Sequence, residues 1–391
     1  MSGRRAIMVA AALGVGATLA AGAMAGSQAP TAGPTYKQVG KFGKGGTGNG
    51  QFLANAYGLA TAKNGDVFVA DTDNHRIQRF SASGAFKGKI SFGGLVVAPD
   101  VAIDADGNVW GTTGTQVEAR QFTPDGRPLA TVTTARQALG IGADAAGNIY
   151  IATDSDNVAR VTRYEKAGGA YAERKSWGGF QAVHDVEVSL DGTVWVSDNR
   201  ALNVKRFDAN GKLLKTMKAG PSAPVGVGVD LDCNVWVGDI SQRRIAKYSP
   251  SGKLLATAVS PDLIAQDIAV GPKGDVYAYD VSSKAVIRFA EDKSKPATAN
   301  VPGAVKVSKG VAKISYTLSG VACPAVVGAT ATVSGSGISG KAAGLKLKAG
   351  AKNVITMKFS KAASGKATFT IVLKTNGRPT TETRSVTVSG R

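Results

Sequence analysis

From about Ala56 to Phe289 the chain alternates apolar and polar residues in short runs, each bounded by turn residues. The clearest stretch is residues 65–84, GDVFVADTDNHRIQRFSASG. After the turn at Asn64-Gly65, Val67 and Val69 alternate with their neighbours, a polar corner follows at residues 71–74, and alternation resumes at Ile77 and Arg79 before a turn at Ser83-Gly84. Successive side chains of a strand point to opposite faces, so this period of two predicts two antiparallel strands with one face turned to a core.

The same pattern recurs. Its turns fall at Asn64-Gly65, Asp106-Gly107, Ala146-Gly147, Asp191-Gly192, Asp232-Cys233 and Lys273-Gly274, in steps of 42, 40, 45, 41 and 41 residues. A Val or Ile followed by an aromatic comes after each turn, as in Val109-Trp110 or Val276-Tyr277. A third strand then ends in an aromatic, and in most units a glycine turn and a fourth strand follow. Units of this length match four-stranded propeller blades, which repeat every ~40 to 50 residues. The sixth unit lacks a fourth strand. Residues 36–42, ahead of the first unit, have the length and pattern to supply it and to close the ring without an exposed sheet edge.

From about Val301 to Arg391 alternation continues with longer Gly/Ser/Lys turns. Ile314, Tyr316 and Leu318 share one strand face, Ile355, Met357 and Phe359 another, and Phe369, Ile371 and Leu373 a third. With further strands near Val305, Val327 to Val333, Leu345 and Val386 to Val388, about seven strands in this length predict an Ig-like β-sandwich. The fold class is therefore all-β: a six-bladed β-propeller closed by an N-terminal strand, plus a C-terminal Ig-like sandwich. The expected division is 1–25 signal peptide, 26–35 linker, 36–289 propeller, 290–300 linker and 301–391 sandwich.

The runs FGKGGTGNGQF, YGLATAKNGDVFVADTDNHRIQRF and SASGAFKGKI resemble the NHL-repeat family, whose units read Gly-φ-Ala, Asp/Asn-Gly, φ-aromatic-Val-Ala-Asp and Asn-His-Arg-Ile. The likeness is specific in the first unit. Later units keep the frame and replace Asn-His-Arg by Asn203-Val204-Lys205 or Gln242-Arg243-Arg244. For most soluble members the resemblance implies six blades, the number reached above from the turns.

Composition adds three points. Residues 1–25 carry Arg4-Arg5, an Ala-rich apolar run and Ala23-Met24-Ala25, the layout of a secretory signal, with an uncleaved membrane anchor as the alternative. The mature protein is then expected outside the cytoplasm, secreted or at the cell envelope. Charge is lopsided: of the net +19, residues 297–391 carry 14 Lys or Arg against the single acid Glu382. Export argues against nucleic acid, so the expected partners are an anionic envelope polymer for this basic module and a protein or glycan for a propeller face of a monomer. Cys233 and Cys323 are too few for a disulfide scaffold and read as two unpaired thiols, an interdomain bond being the alternative.

The candidate chemistry is thin. With only His75 and His184, a multi-histidine metal site is excluded. His75 belongs to the repeat motif and reads as packing and hydrogen-bonding between blades. At the start of the innermost strand the units read Gly58, Asp100, Gly140, Asp185, Gly226 and Asp267. Three carboxylates near one channel mouth either cap the turn into their strands or share a cation. Two places on, Ala60, Ala102, Gly142, Gly228 and Ala269 are small and Glu187 is not. A carboxylate buried there needs a partner or a proton, which makes Glu187 the best single candidate for a site. Asp71, Asp198, Asp239 and Asp280, with Thr113 and Thr153, read as hydrogen-bonding blade corners.

Two functions follow. The first is a secreted binding or scaffold protein at the envelope, without enzymatic activity or cofactor, anchored by its lysine-rich module. The second resembles the lactonase, strictosidine-synthase or streptogramin-lyase propellers: Ca²⁺ or Mg²⁺ held by Asp100, Asp185, Asp267 and Glu187 acts as Lewis acid, with His184 and Glu187 as catalytic groups.

Overall fold

A computed structural model of the protein describes residues 36–92, 99–114, 116–155, 158–218, 224–261 and 263–292, together with seven strands between Ala304 and Gly390. The signal-peptide reading falls on residues 1–25, outside the described residues. The described chain is all-β, with one single-turn 3-10 helix at Thr72–Asn74, and none of its helices is long and apolar enough to cross a membrane.

The repeat folds as an antiparallel propeller. In the first unit, Gly58–Thr61, Val67–Asp71, Arg76–Phe80 and Phe86–Ser91 form a four-stranded sheet in chain order. Units two, three and four each form such a sheet of their own. The core lies between successive sheets: Leu59, Val67, Val69 and Phe80 of unit one pack with Ala269, Tyr277, Tyr279 and Val286 of unit six. Within each unit a turn demands positive φ, which Gly65, Gly107, Gly147, Gly192 and Gly274 supply at low cost.

The expectation of six separate blades is corrected here. Four units stand as blades of their own, whereas units five and six share one eight-stranded sheet. The N-terminal strand Tyr36–Phe42 is the cause. It pairs antiparallel with Ala285–Glu291, the position expected for the missing fourth strand, and Tyr36 also bridges to Ala258 of unit five. Tyr36 is drawn there by edge-on packing against Trp236, with ring centroids 4.6 Å apart.

The thiol expectation is also corrected. Cys233 is disulfide-bonded and fully buried, and it takes φ 58° where the other units place glycine. The chain's other cysteine, Cys323, lies outside the described residues.

In the C-terminal region the strands are Ala304–Ser308, Val311–Thr317, Val326–Gly335, Ile338–Lys348, Lys352–Phe359, Gly365–Thr375 and Arg378–Gly390. Each stretch expected to be a strand falls in one, except Leu318, which lies outside the described residues. Their order is first, second, fifth, fourth, third, sixth, seventh in one closed sheet, where the sandwich expectation has two. Closure comes from parallel pairing of the first strand with the seventh and from the third-to-fourth hairpin.

Candidate functional site: the channel ring

The inner strand of every unit ends its sheet, so its second edge faces the channel and has no strand partner there. Such an edge leaves amides in want of acceptors. The three aspartates meet part of that want. Asp100 accepts the amide of its own neighbour Val101 at 2.7 Å and that of Ile141, in unit three, at 2.7 Å. Asp185 repeats the arrangement with Val186 at 2.6 Å and Val227, in unit five, at 2.8 Å. Asp267 takes the amide of Leu59, in unit one, at 2.6 Å.

The alternating joints are made by glycine. A Cβ on Gly58 would lie 2.6 Å from the Cα of Asp100, one on Gly140 2.9 Å from that of Asp185, and one on Gly226 2.4 Å from that of Asp267. Around the circuit, joints bridged by a carboxylate therefore alternate with joints where two backbones touch. The Gly/Asp alternation in the sequence is the record of these two kinds of joint.

All three aspartates are buried, Asp267 to 3% exposure. Burial pushes their carboxyls up, and the neighbouring acids add to the rise for Asp100 and Asp267. Asp185 reaches about 6, held back by the Val227 amide and by a hydrogen bond from the Asp267 carboxyl. Oδ1 of Asp267 has no amide in good geometry.

This donor set does not fit a divalent ion. Both oxygens of Asp100 and Asp185 already face amides, and among the described residues no group of three or more His, Cys, Asp or Glu is arranged to hold a metal.

Glu187 and His184 lie to either side of this layer. Along an extended strand three residues span ~10 Å, with Asp185 between them. His184 is at one mouth, its ring edge-on to Tyr57 at 6.4 Å and its Nε2 3.4 Å from Nε2 of Gln266. Burial lowers its imidazole to about 4, so it is neutral at physiological pH. Glu187 lines a cavity of about 180 Å³ with Ala60, Ala102, Ala143 and Ala269. Burial, and then the charge of Asp185, raise its carboxyl well above the usual range. Among the described residues its one hydrogen bond is from the Val188 amide, at 3.3 Å.

The four corner aspartates and Thr113 hydrogen-bond as expected. Asp71 is bound by Arg76 at 2.7 Å, Asn74 at 2.9 Å and Gln78 at 2.9 Å. Asp198 holds the amides of Gln181 and Ala182 with Lys205, and Asp280 holds the Ile264 amide with Ser282 and Ser283. His75 differs from expectation: it takes the left-handed corner, φ 55°, and among the described residues its Nδ1 has no hydrogen-bond partner. Val117, Leu202, Arg243 and Lys284 take the equivalent corner at φ 49° to 54°.

One column was missed by sequence reasoning. Thr112 Oγ1 accepts the Asp100 amide at 3.0 Å and Ser197 Oγ accepts that of Asp185 at 2.9 Å, while Ser197 also donates to the Val225 carbonyl. The signal was available: this position reads Ala70, Thr112, Ala152, Ser197, Gly238 and Tyr279, small and hydroxyl-bearing in the same alternation as Gly and Asp.

Comparison with known proteins gives the following. The sequence profile of the NHL repeat matches residues 53–80. No curated protein matches the chain. Among solved structures, a streptogramin B lyase shares 15% identity over 61% of this chain and 94% of its own, with a TM-score of 0.48. The virginiamycin B lyase of Staphylococcus aureus shares 16% over 79% and 95%, at 0.48. The WD40 propeller domain of Doa1 shares 13% over 67% and 99%, at 0.49. At such levels the likeness says nothing of activity.

Proposed function

We propose that the chain is an exported binding or scaffold protein. An NHL-like ring of six units presents a recognition face to a protein or glycan, and a basic Ig-like module holds it at an anionic envelope. The observation that carries this reading is the use of the aspartate ring: its carboxylates join one unit to the next instead of converging on a reacting atom. Six units are supported by the circuit of joints, in which Asp267 of unit six meets Leu59 of unit one. The Ig-like reading is supported by the strand order, since strands one, two, five and four against three, six and seven is the division of a constant-type immunoglobulin domain. Envelope anchoring rests on the 14 basic residues of residues 297–391.

Retention of the full chain on a polyuronate matrix tests the anchor. Replacing Lys341, Lys346 and Lys348 together by Gln should lower the salt needed for elution, because each lost cation removes a counterion-releasing contact. Unchanged elution would remove the anchoring role.

A hydrolase or lyase at the channel mouth has one observation in its favour, the unpaired carboxyl of Glu187 in a cavity. Calorimetric titration of Ca²⁺ and Mg²⁺ into the wild type and Glu187→Gln discriminates. Binding lost in the variant supports that reading, and no binding in either ends its metal-dependent form.

A further inference from the structure

The cavity beside Glu187 has features that the scaffold role leaves unused. It opens on the channel at the end away from His184, and its lining surface is mainly polar although most of its side chains are apolar, four alanines with Ile103, Val188, Val229 and Val270. The polarity comes from the inner strands themselves, whose channel edges have no strand partner. Glu187 is the one charged side chain in this lining, and no Lys or Arg shares the cavity. Gly142 explains its orientation. A Cβ there would lie 2.7 Å from the Val186 carbonyl and 3.3 Å from the Cα of Glu187, so the neighbouring strand packs flush against this backbone and leaves the channel side to the carboxyl.

We propose that this cavity binds a primary ammonium group carried on an unbranched alkyl stem. The inference rests on reading the propeller as a binding surface and names the chemistry that one part of that surface takes. A cavity of about 180 Å³ is large enough for a short alkylammonium. An n-pentylammonium falls within that room. Its three N–H groups supply one hydrogen bond to Glu187 and two to carbonyls of the strand edges or to water, and its single charge matches a single carboxylate. A divalent ion lacks the further ligands it needs. Asp185 lies behind the cavity on the same strand, and neutral His184 adds no opposing charge.

Proton balance gives a signature. In the free protein burial favours the protonated carboxyl of Glu187. Binding then converts carboxylic acid and ammonium to a carboxylate–ammonium pair and releases one proton to the buffer. Of the groups facing Glu187, Asp185 and Asp100 are raised in the same direction as Glu187, and His184 is neutral above about pH 4. Affinity therefore rises with pH as Glu187 loses its proton more readily, until the amine itself deprotonates.

Isothermal calorimetry of the full chain with n-pentylamine hydrochloride tests this. The expected result is saturable binding whose heat changes with the ionisation enthalpy of the buffer, no binding of 1-pentanol, and at least ~10-fold weaker binding to Glu187→Gln, the loss typical of a hydrogen bond to a charged group. The wild type alone gives a second readout, because its affinity should climb between pH 5 and 8. N-acetyl-lysine methylamide and spermidine as alternative probes distinguish a peptide lysine from a free amine, and tighter binding of either is consistent with the site. Equal affinity in Glu187→Gln, equal binding of pentanol, a pH-independent affinity, or no binding of any amine would each overturn the proposal. Retention on an anionic matrix depends on the lysines and not on Glu187, so the two readings fail separately.

Discussion

At the residue scale, the three aspartates show how one residue type serves a ring. An exposed carboxylate prefers its charge, but Asp185 is buried, and although the Val186 and Val227 amides hold it back its carboxyl rises to about 6. Because the folded value lies above the unfolded one of ~3.9, the folded state binds the proton more tightly. The resulting stability is fully present below about pH 4 and is lost as pH rises through about 6, on the order of 3 kcal/mol in all. Asp100 and Asp267, raised in the same sense, extend the loss upward. Urea midpoints of wild type and Asp185→Asn across pH 4 to 7 should therefore diverge, the wild type losing more stability than the variant with rising pH. Parallel curves would show that Asp185 keeps an ordinary carboxyl.

At the scale of elements, the N-terminal strand is the piece whose loss the fold should feel most. Without Tyr36–Phe42 the edge of Ala285–Glu291 is left unpaired, and Trp236 loses the ring of Tyr36. A chain lacking residues 36–42 should unfold at lower urea and associate at micromolar concentration through the bare edge, both measurable by light scattering during a urea series. Wild-type stability without association would mean that the strand only decorates the sheet.

These elements were largely legible. Period-two alternation and the turns at Gly65, Gly107, Gly147, Gly192 and Gly274 placed the strands, because side-chain period and positive φ are local demands. The two hydrogen-bond roles of Tyr36 were not legible, since a bridge to Ala258 depends on packing 222 positions away in the chain. Cys233 was visible as the odd residue in a glycine column, but its bond was not, as pairing is a matter of space. Glu187 stood out in the sequence by size alone. What the alternation of Gly and Asp meant emerged only when Ile141, Val227 and Leu59 were seen to donate across the joints.

At the scale of the whole molecule, the chain joins a nearly neutral ring to a strongly basic module. The ring repeats one solution to the problem of closing a circle of sheets, with carboxylate bridges and glycine contacts in turn. The basic module repeats nothing. A closed ring with filled joints offers a rigid platform, which suits recognition on its faces and leaves the channel mouths as the places where chemistry differs from unit to unit.

The central claim is that Asp100, Asp185 and Asp267 fasten neighbouring units and do not hold an ion. Thermal unfolding of wild type and Asp100→Ala, each with and without millimolar Ca²⁺, addresses it directly. The account predicts no Ca²⁺-dependent shift for the wild type, and for Asp100→Ala a midpoint several degrees lower, because the Val101 and Ile141 amides lose their acceptor at ~1 to 3 kcal/mol each. The contrary result is a wild-type midpoint raised by Ca²⁺, as mass action on a native-state site requires, together with loss of that gain in Asp100→Ala at little cost to its ion-free stability.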